Sequence, residues 1–445
     1  MEEINHNSFS QFQPNPYAFA TWIPIFIFAS FVLLFSTNIP WYDDFPQQFG
    51  TIERIEHAQS SAEVLFFQYN EHKLLTTYII PFITYRLFGW IDMRTTVYCS
   101  ALLSIWLFFF LNSLRNQQPY SLVSVSIAFL LLVPAGASTV WAGGSMQYTA
   151  TVLFGLLSIA NLTKKGWGPF IFACLCFFIA SFSLISGLLA AMPGVLYLLV
   201  NLKKEQTATR LILFTGFSAI IWTAYFYNFH FIGAHPSPFS IFQTPIFAIK
   251  YYLLVSTGFL GGLIPVPVIL VISFLAHVVL IGFLIRYRSA LNFNNPLWFM
   301  WLFIFLNLLT IVAGRVGFLS LEQALSDRYQ IYSACFWIFA LLILSNSSLF
   351  PFRALPVLGL LIVLLNVSTS YSLFSLLSTH KEKLENALQS VLKQASRPDE
   401  TYFGVSRART YIHTGIEKGY YHPPKDLLLQ HSEKSNAEKI PLSPD

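Results

Sequence analysis

Eleven apolar runs separated by polar loops leave this chain one workable solvent, the interior of a lipid bilayer. By length and flanking charge the runs cover roughly 18–37, 95–113, 120–137, 147–162, 168–182, 184–201, 209–229, 263–285, 297–313, 330–346 and 354–375. A helix rises about 1.5 Å per residue, so ~20 residues cross a hydrocarbon core of ~30 Å. Only 11% of the residues are charged and 55% are hydrophobic, which no water-soluble chain of 445 residues resembles. The expected fold class is therefore an all-α polytopic membrane protein with about 11 transmembrane helices.

The remaining composition narrows the function by exclusion. A net charge of +5 is small and calls for no nucleic-acid partner. Cys99, Cys174, Cys176 and Cys335 all lie in apolar runs, and Cys174 and Cys176 are too close together for a CxxC redox pair. They read as buried structural thiols. The first run has no Lys or Arg before it and no small-residue cleavage site after it, so it reads as an uncleaved anchor.

Alternate loops differ in charge. One set holds Arg115, Lys164, Lys165, Lys203, Lys204, Arg210, Arg286, Arg288 and Arg353, with Glu205 its only acid. The other holds nine acids, Asp43 and Asp44 among them, against seven basic residues spread over much longer loops. The positive-inside rule makes the first set cytoplasmic. The amino terminus is then inside, and Asp43-Asp44 and the carboxyl tail are outside.

Residues 74–90 imitate a span but carry Arg86, which costs ~2.5–3.5 kcal/mol at a helix centre. They read instead as an interfacial helix that Asn70 caps and Gly89 ends. Residues 38–94 become one large outer loop with surface helices. Residues 1–375 form the membrane domain. Residues 376–445 turn polar and read as a helical extracytoplasmic tail: one helix over 380–395, a second stopping at Pro423-Pro424, and a disordered last ~15 residues. No internal repeat of fixed period is visible.

Chemistry gathers in the outer loops. Asp43 and Asp44 in WYDDF follow the first span between Pro40 and Pro46. They read as turn-capping acids, as a general base that takes a proton from a hydroxyl, or as ligands of Mg or Mn, the cofactors that paired carboxylates suit. Glu71, His72 and Lys73 start the interfacial helix, as an ordinary charged helix start or as a substrate site where His72 and Lys73 hold a phosphate. Arg315 and Arg328 flank spans in a second outer loop, where they either snorkel or grip a phosphate as guanidinium forks. Tyr329 can stack on a sugar. Gln147, beyond the Gly143-Gly144 turn after Trp141, can hydrogen-bond a sugar hydroxyl. His230 and His235 have no recognisable metal spacing.

Several strings together carry a family likeness: WYDDF at 41–45, YNEHKLLTTYIIPFITYRLFG at 69–89, SMQYTATVLFGLL at 145–157, ISGLLAAMPGVLYLL at 185–199, GRVGF at 314–318, ALSDRYQIYS at 324–333 and GIEKGYYHPP at 415–424. The chain thereby resembles the GT-C superfamily of membrane glycosyltransferases, and within it a bacterial group of GT-C-like polytopic proteins. The resemblance implies chemistry on the outer face of a bacterial inner membrane. The donor it implies is a polyprenyl-phosphate-linked sugar, and the acceptor is a surface glycan, lipid or protein. An aspartate of the first outer loop acts as base in the superfamily, which maps onto Asp43 or Asp44. Basic outer-loop residues hold the lipid phosphate, which maps onto Lys73, Arg315 or Arg328. One departure is that the group often has Arg where this chain has Lys73.

The expectation is an inverting glycosyltransferase of the cell envelope, acting in polysaccharide biosynthesis. The alternative is a non-enzymatic polyprenyl-lipid transporter or the structural partner of a surface-polysaccharide assembly system. Polar residues gathered in outer loops rather than deep in spans weigh against translocation.

Overall fold

The computed structural model describes residues 16–115, 122–141, 145–232, 236–261, 264–289, 291–345, 354–393, 400–403, 405 and 407–427. The chain is mostly helical, with a single two-stranded hairpin among the described residues. Each of the eleven apolar runs contains a helix. Among the described residues six helices are long and apolar enough to cross a membrane: Tyr17–Phe35, Met93–Ser113, Thr207–Phe226, Val266–Arg286, Pro296–Phe318 and Asp327–Ser345. Met146–Leu162, Trp167–Ser181, Ile185–Val200 and Pro245–Ser256 are apolar but shorter.

The helices share one hydrophobic core. Pro16–Phe35 and Ala354–Leu392 both pack on Leu122–Trp141, and Met146–Leu162 lies along Trp167–Ser181. Helices at the centre of the bundle are apolar all round and buried, such as Gln330–Ser345. Val266–Arg286 leaves most of its apolar surface uncovered, as a lipid-facing helix does. Arg210 ties two basic loops together by donating to the carbonyls of Lys164 (2.8 Å) and Gly166 (2.6 Å).

A second, separate core forms over one end of the bundle. It joins Phe45, Phe49, Ile52 and Ile55 of the first loop to Leu384, Leu388, Phe403, Ile412 and Tyr421 of the tail. Asn38 stitches the two: its amide nitrogen donates to the His422 carbonyl (2.7 Å), its amide oxygen accepts from the Met93 N–H (2.9 Å), and its carbonyl accepts from the Tyr421 hydroxyl (2.7 Å). Lys418 adds an ion pair with Glu56 at 2.6 Å. The tail and the first loop therefore lie on the same side of the bundle.

Several local expectations change. The interfacial helix spans Leu75–Phe88 and ends at Gly89, whose φ of +76° is the left-handed conformation a glycine stop supplies. Ile83, Leu87, Phe88 and Trp90 remain exposed around its end, an apolar face for the membrane surface. Asn70 does not cap it. Asn70 and Glu71 instead form the two-residue turn of a hairpin that pairs Gln68 with Lys73 and Tyr69 with His72, and Asn70 takes the positive φ (+52°) such a turn requires. Glu71, His72 and Lys73 are thus hairpin residues, not a helix start. The last apolar run does not stop near 375, because Ala354–Leu392 is one 39-residue helix. At 1.5 Å per residue it is ~58 Å long, so it carries the chain out of the bundle and into the tail without a break. The tail helix Ala408–Glu417 ends before Gly419 (φ +75°), ahead of Pro423-Pro424. The disorder expected of the final residues, the Gly143-Gly144 turn and His235 lie outside the described residues.

Candidate functional site

Tyr42 has a φ of +50°, which is uncommon for a bulky residue and costs of order 1–3 kcal/mol. Its N–H donates to the Phe403 carbonyl of the tail (3.1 Å), which fixes the strained turn. Beyond it the two aspartates diverge. Asp44 is buried, accepts from the Trp41 N–H (3.1 Å) and from the Gln48 amide (2.9 Å), and roots the loop. Gln48 in turn accepts from the Thr96 hydroxyl of Met93–Ser113 (3.4 Å). Asp43 is half-buried and accepts from the Tyr69 hydroxyl at 3.1 Å. Burial, then the Asp43 charge, raise the Tyr69 phenol above its ordinary range, so it remains a donor. The two carboxylates are thus committed to different hydrogen-bond partners. Among the described residues no three of His, Cys, Asp and Glu gather as metal ligands.

The charge of Asp43 reaches Tyr148 and Arg328. Arg328 lies beside Tyr329, with its guanidinium 5.7 Å from the ring centroid, and donates from Nε to the Ser326 hydroxyl (3.1 Å). Tyr148 stands edge-on to Tyr329 and Tyr332, with centroids 6.4 Å apart in each case. These three tyrosines line a cavity of about 500 Å³ between the helices and the outer layer. The hairpin contributes Glu71 and His72 to its wall, the end of Pro296–Arg315 contributes Arg315, and Ile185–Ala190 contributes Ser186. Most of the rest is apolar, including Leu184, Phe229, Phe231 and Ile311, with Ser237 and Thr310 adding hydroxyls.

Two guanidiniums lack a contact ion pair, although the Asp43 and Asp327 charges act on Arg328. Among the described residues neither Arg315 nor Arg328 forms an ion pair, and Arg315 makes no hydrogen bond. Both act on Tyr251, whose buried hydroxyl has no hydrogen-bond partner among the described residues. A region with two guanidiniums outside any contact ion pair and an unsatisfied hydroxyl favours an anion.

Of the sequence-based candidates, Glu71, His72, Arg315 and Tyr329 line this cavity, and Asp43 and Arg328 act on Tyr148 in its wall. Three stand elsewhere. Asp44 is occupied as described. Lys73 turns its ammonium away from the cavity, to the carbonyls of Ala224 (3.2 Å) and Tyr227 (3.1 Å) at the end of Thr207–Phe226. Burial holds it below the ordinary lysine range. It stands as a cation at a helix C-terminus. Gln147 is buried in Met146–Leu162 away from the cavity wall, its amide oxygen without a hydrogen-bond partner among the described residues. The tyrosines 69, 148, 251 and 332 carry much of the site and were not singled out by sequence reasoning. Tyr69 and Tyr148 stand inside strings already quoted, next to residues that were.

Compared with protein families, curated proteins and solved structures, the chain matches no family model, no curated protein and no solved structure.

Proposed function

We propose that the chain is a membrane glycosyltransferase of the GT-C kind, transferring a sugar from a polyprenyl-phosphate carrier to an acceptor hydroxyl. The observation that carries this reading is a cavity between the helices that Arg315 and three tyrosines line, with Arg328 and the half-buried carboxylate of Asp43 acting on each other and on Tyr148 in its wall. A phosphate-linked sugar needs cations for the leaving group and a base for the incoming hydroxyl, and both are present.

In the proposed reaction the acceptor oxygen forms a bond to the anomeric carbon as the bond from that carbon to the phosphate oxygen breaks. The bonding pair leaves with the phosphate, where Arg315 and Arg328 offset its charge. The acceptor proton passes to Asp43. In-line displacement inverts the anomeric centre. Asp43 does this work rather than Asp44, whose oxygens are already accepting hydrogen bonds inside the loop.

The reading includes a topology: eleven crossings, the basic loops in the cytoplasm, the amino terminus inside, and the first loop and tail outside a bacterial plasma membrane. Supporting it are the density of Lys and Arg in the short loops and the docking of the tail on the first loop. The test replaces Asp43 and Asp44 singly with Asn and profiles the surface glycans. Asp43→Asn removes the product glycan at normal protein abundance. Asp44→Asn lowers abundance while the surviving protein still works. A wild-type profile in the Asp43 variant would remove the base and, with it, the proposal.

A further inference from the structure

A second recess, of about 340 Å³, opens in the layer formed by the first loop and the tail, with Tyr69 in its wall. Its wall is formed by Glu53, Arg54 and His57 of Gly50–His57, by Phe67 and Tyr69 before the hairpin turn, and by Tyr411 of the tail helix. Its volume lies in the range of small-molecule sites, roughly 300–1,000 Å³. Its chemistry differs from that of the first cavity. Glu53 balances Arg54, so the recess carries no excess charge for an anion. Phe67 leaves 41% of its surface exposed. The Arg54 guanidinium is held 4.2 Å from the Phe67 centroid and 4.9 Å from that of Tyr78, and it donates to the Thr51 hydroxyl (3.0 Å). Its Nε is buried with no hydrogen-bond partner among the described residues.

Open ring faces beside a planar carboxylate and a planar guanidinium suit a polyhydroxylated ring. Its C–H faces lie on the aromatics, and adjacent hydroxyls pair with the forked charged groups. The recess also has a direct relation to the base. The ring of Tyr69 forms part of its wall, while the hydroxyl of the same residue is 3.1 Å from Asp43. Tyr69 thus links the recess to the carboxylate.

We propose that this recess binds the acceptor saccharide, with Glu53, Arg54 and His57 engaging hydroxyls and Phe67 and Tyr411 supplying stacking faces. The inference rests on the glycosyl-transfer reading. It gives the donor the cavity among the helices and the acceptor the recess in the outer layer, with Asp43 between them. It also gives the tail a role, because Tyr411 makes the acceptor wall incomplete without it.

The test uses the full chain in its own host. Product glycan is measured by mass spectrometry, with protein abundance and thermal stability of each variant measured in parallel. Glu53→Gln and His57→Ala, on the cavity side of an otherwise intact helix, are expected to lower product about tenfold or more at unchanged stability. Tyr411→Ala is expected to do the same, and Tyr411→Phe, which keeps the ring, to restore it. Should Tyr411→Ala lose stability because that ring also packs on Phe45 and Phe49, the Glu53 and His57 variants decide alone. Wild-type product in stable Glu53 and His57 variants, alongside loss of product in Asp43→Asn, overturns the acceptor site and spares the transferase reading. Wild-type product in Asp43→Asn as well overturns both.

Discussion

Replacing Lys73 with Met separates a structural cation from a substrate-binding one. The ammonium donates to the carbonyls of Ala224 and Tyr227 at 3.2 and 3.1 Å, and lies 5.8 Å from the Tyr225 ring centroid. Met keeps the length of the stem and removes both donors. Hydrogen bonds from a charged group contribute about 1.5–3 kcal/mol each, and a cation at a helix C-terminus adds about 0.3–1 kcal/mol. The desolvation that lowers the Lys73 pKa offsets part of this gain. A net loss of roughly 2–3 kcal/mol follows, confined at first to the hairpin and the end of Thr207–Phe226. Since 1.4 kcal/mol is tenfold, amide exchange over residues 68–73 should accelerate about 30- to 100-fold. Hydrogen–deuterium exchange on protein in nanodiscs measures this directly. Product formation per folded molecule should fall far less than in arginine variants. If exchange in the hairpin is unchanged while activity collapses, Lys73 touches substrate and the structural assignment is wrong.

Other perturbations probe the remaining links. Arg315→Lys and Arg328→Lys keep the charge and lose the fork; losing one charge-assisted bond of ~1.5–3 kcal/mol should cut kcat/KM roughly 10- to 100-fold, and an unchanged value would detach that arginine from the phosphate. Asn38→Ala leaves the Met93 N–H buried without its partner, at about 1–3 kcal/mol, and removes the donor to the His422 carbonyl, so protease should release the tail faster than in the wild type. Burial and the nearby Lys383 charge push His380 down from 6.5 to about 4, where it meets the Tyr402 hydroxyl (2.6 Å) and stands edge-on to Trp41. As pH falls the unfolded state takes up this proton first, so the contribution is complete above about pH 6.5 and is lost towards pH 4. Tail proteolysis should therefore quicken over that window, and His380→Phe should flatten the dependence.

The helices were legible because crossing a bilayer demands a length and a composition that survive in any local window. The break at Gly89 was legible for a similarly local reason. The helix Pro245–Ser256 escaped notice because it is only 12 residues long and carries Lys250, so it fails a span criterion while still packing among Val266–Arg286, Pro296–Arg315 and Gln330–Ser345. The hairpin escaped because strands of two residues show no alternation to read. Lys73 could not be placed from sequence at all: its partners are backbone carbonyls about 150 residues away, which no side-chain pattern encodes. Asp43 and Asp44 are equivalent as letters, and only the left-handed turn at Tyr42 and the Gln48 amide set them apart. The basic partners Arg315 and Arg328 were within reach of charge counting, whereas the tyrosines around them were lost among 21 in the chain.

The central claim is that a carrier-linked sugar is consumed at Asp43, and purified protein reconstituted in liposomes tests it most directly. The liposomes carry polyprenyl-phosphate-linked radiolabelled sugar extracted from the host, together with the host's membrane acceptor fraction. The account predicts transfer of label with release of polyprenyl phosphate, abolished by Asp43→Asn. Saturable binding of the same lipid with no release, equal in the wild type and in Asp43→Asn, would contradict it and describe a lipid-binding protein without bond chemistry.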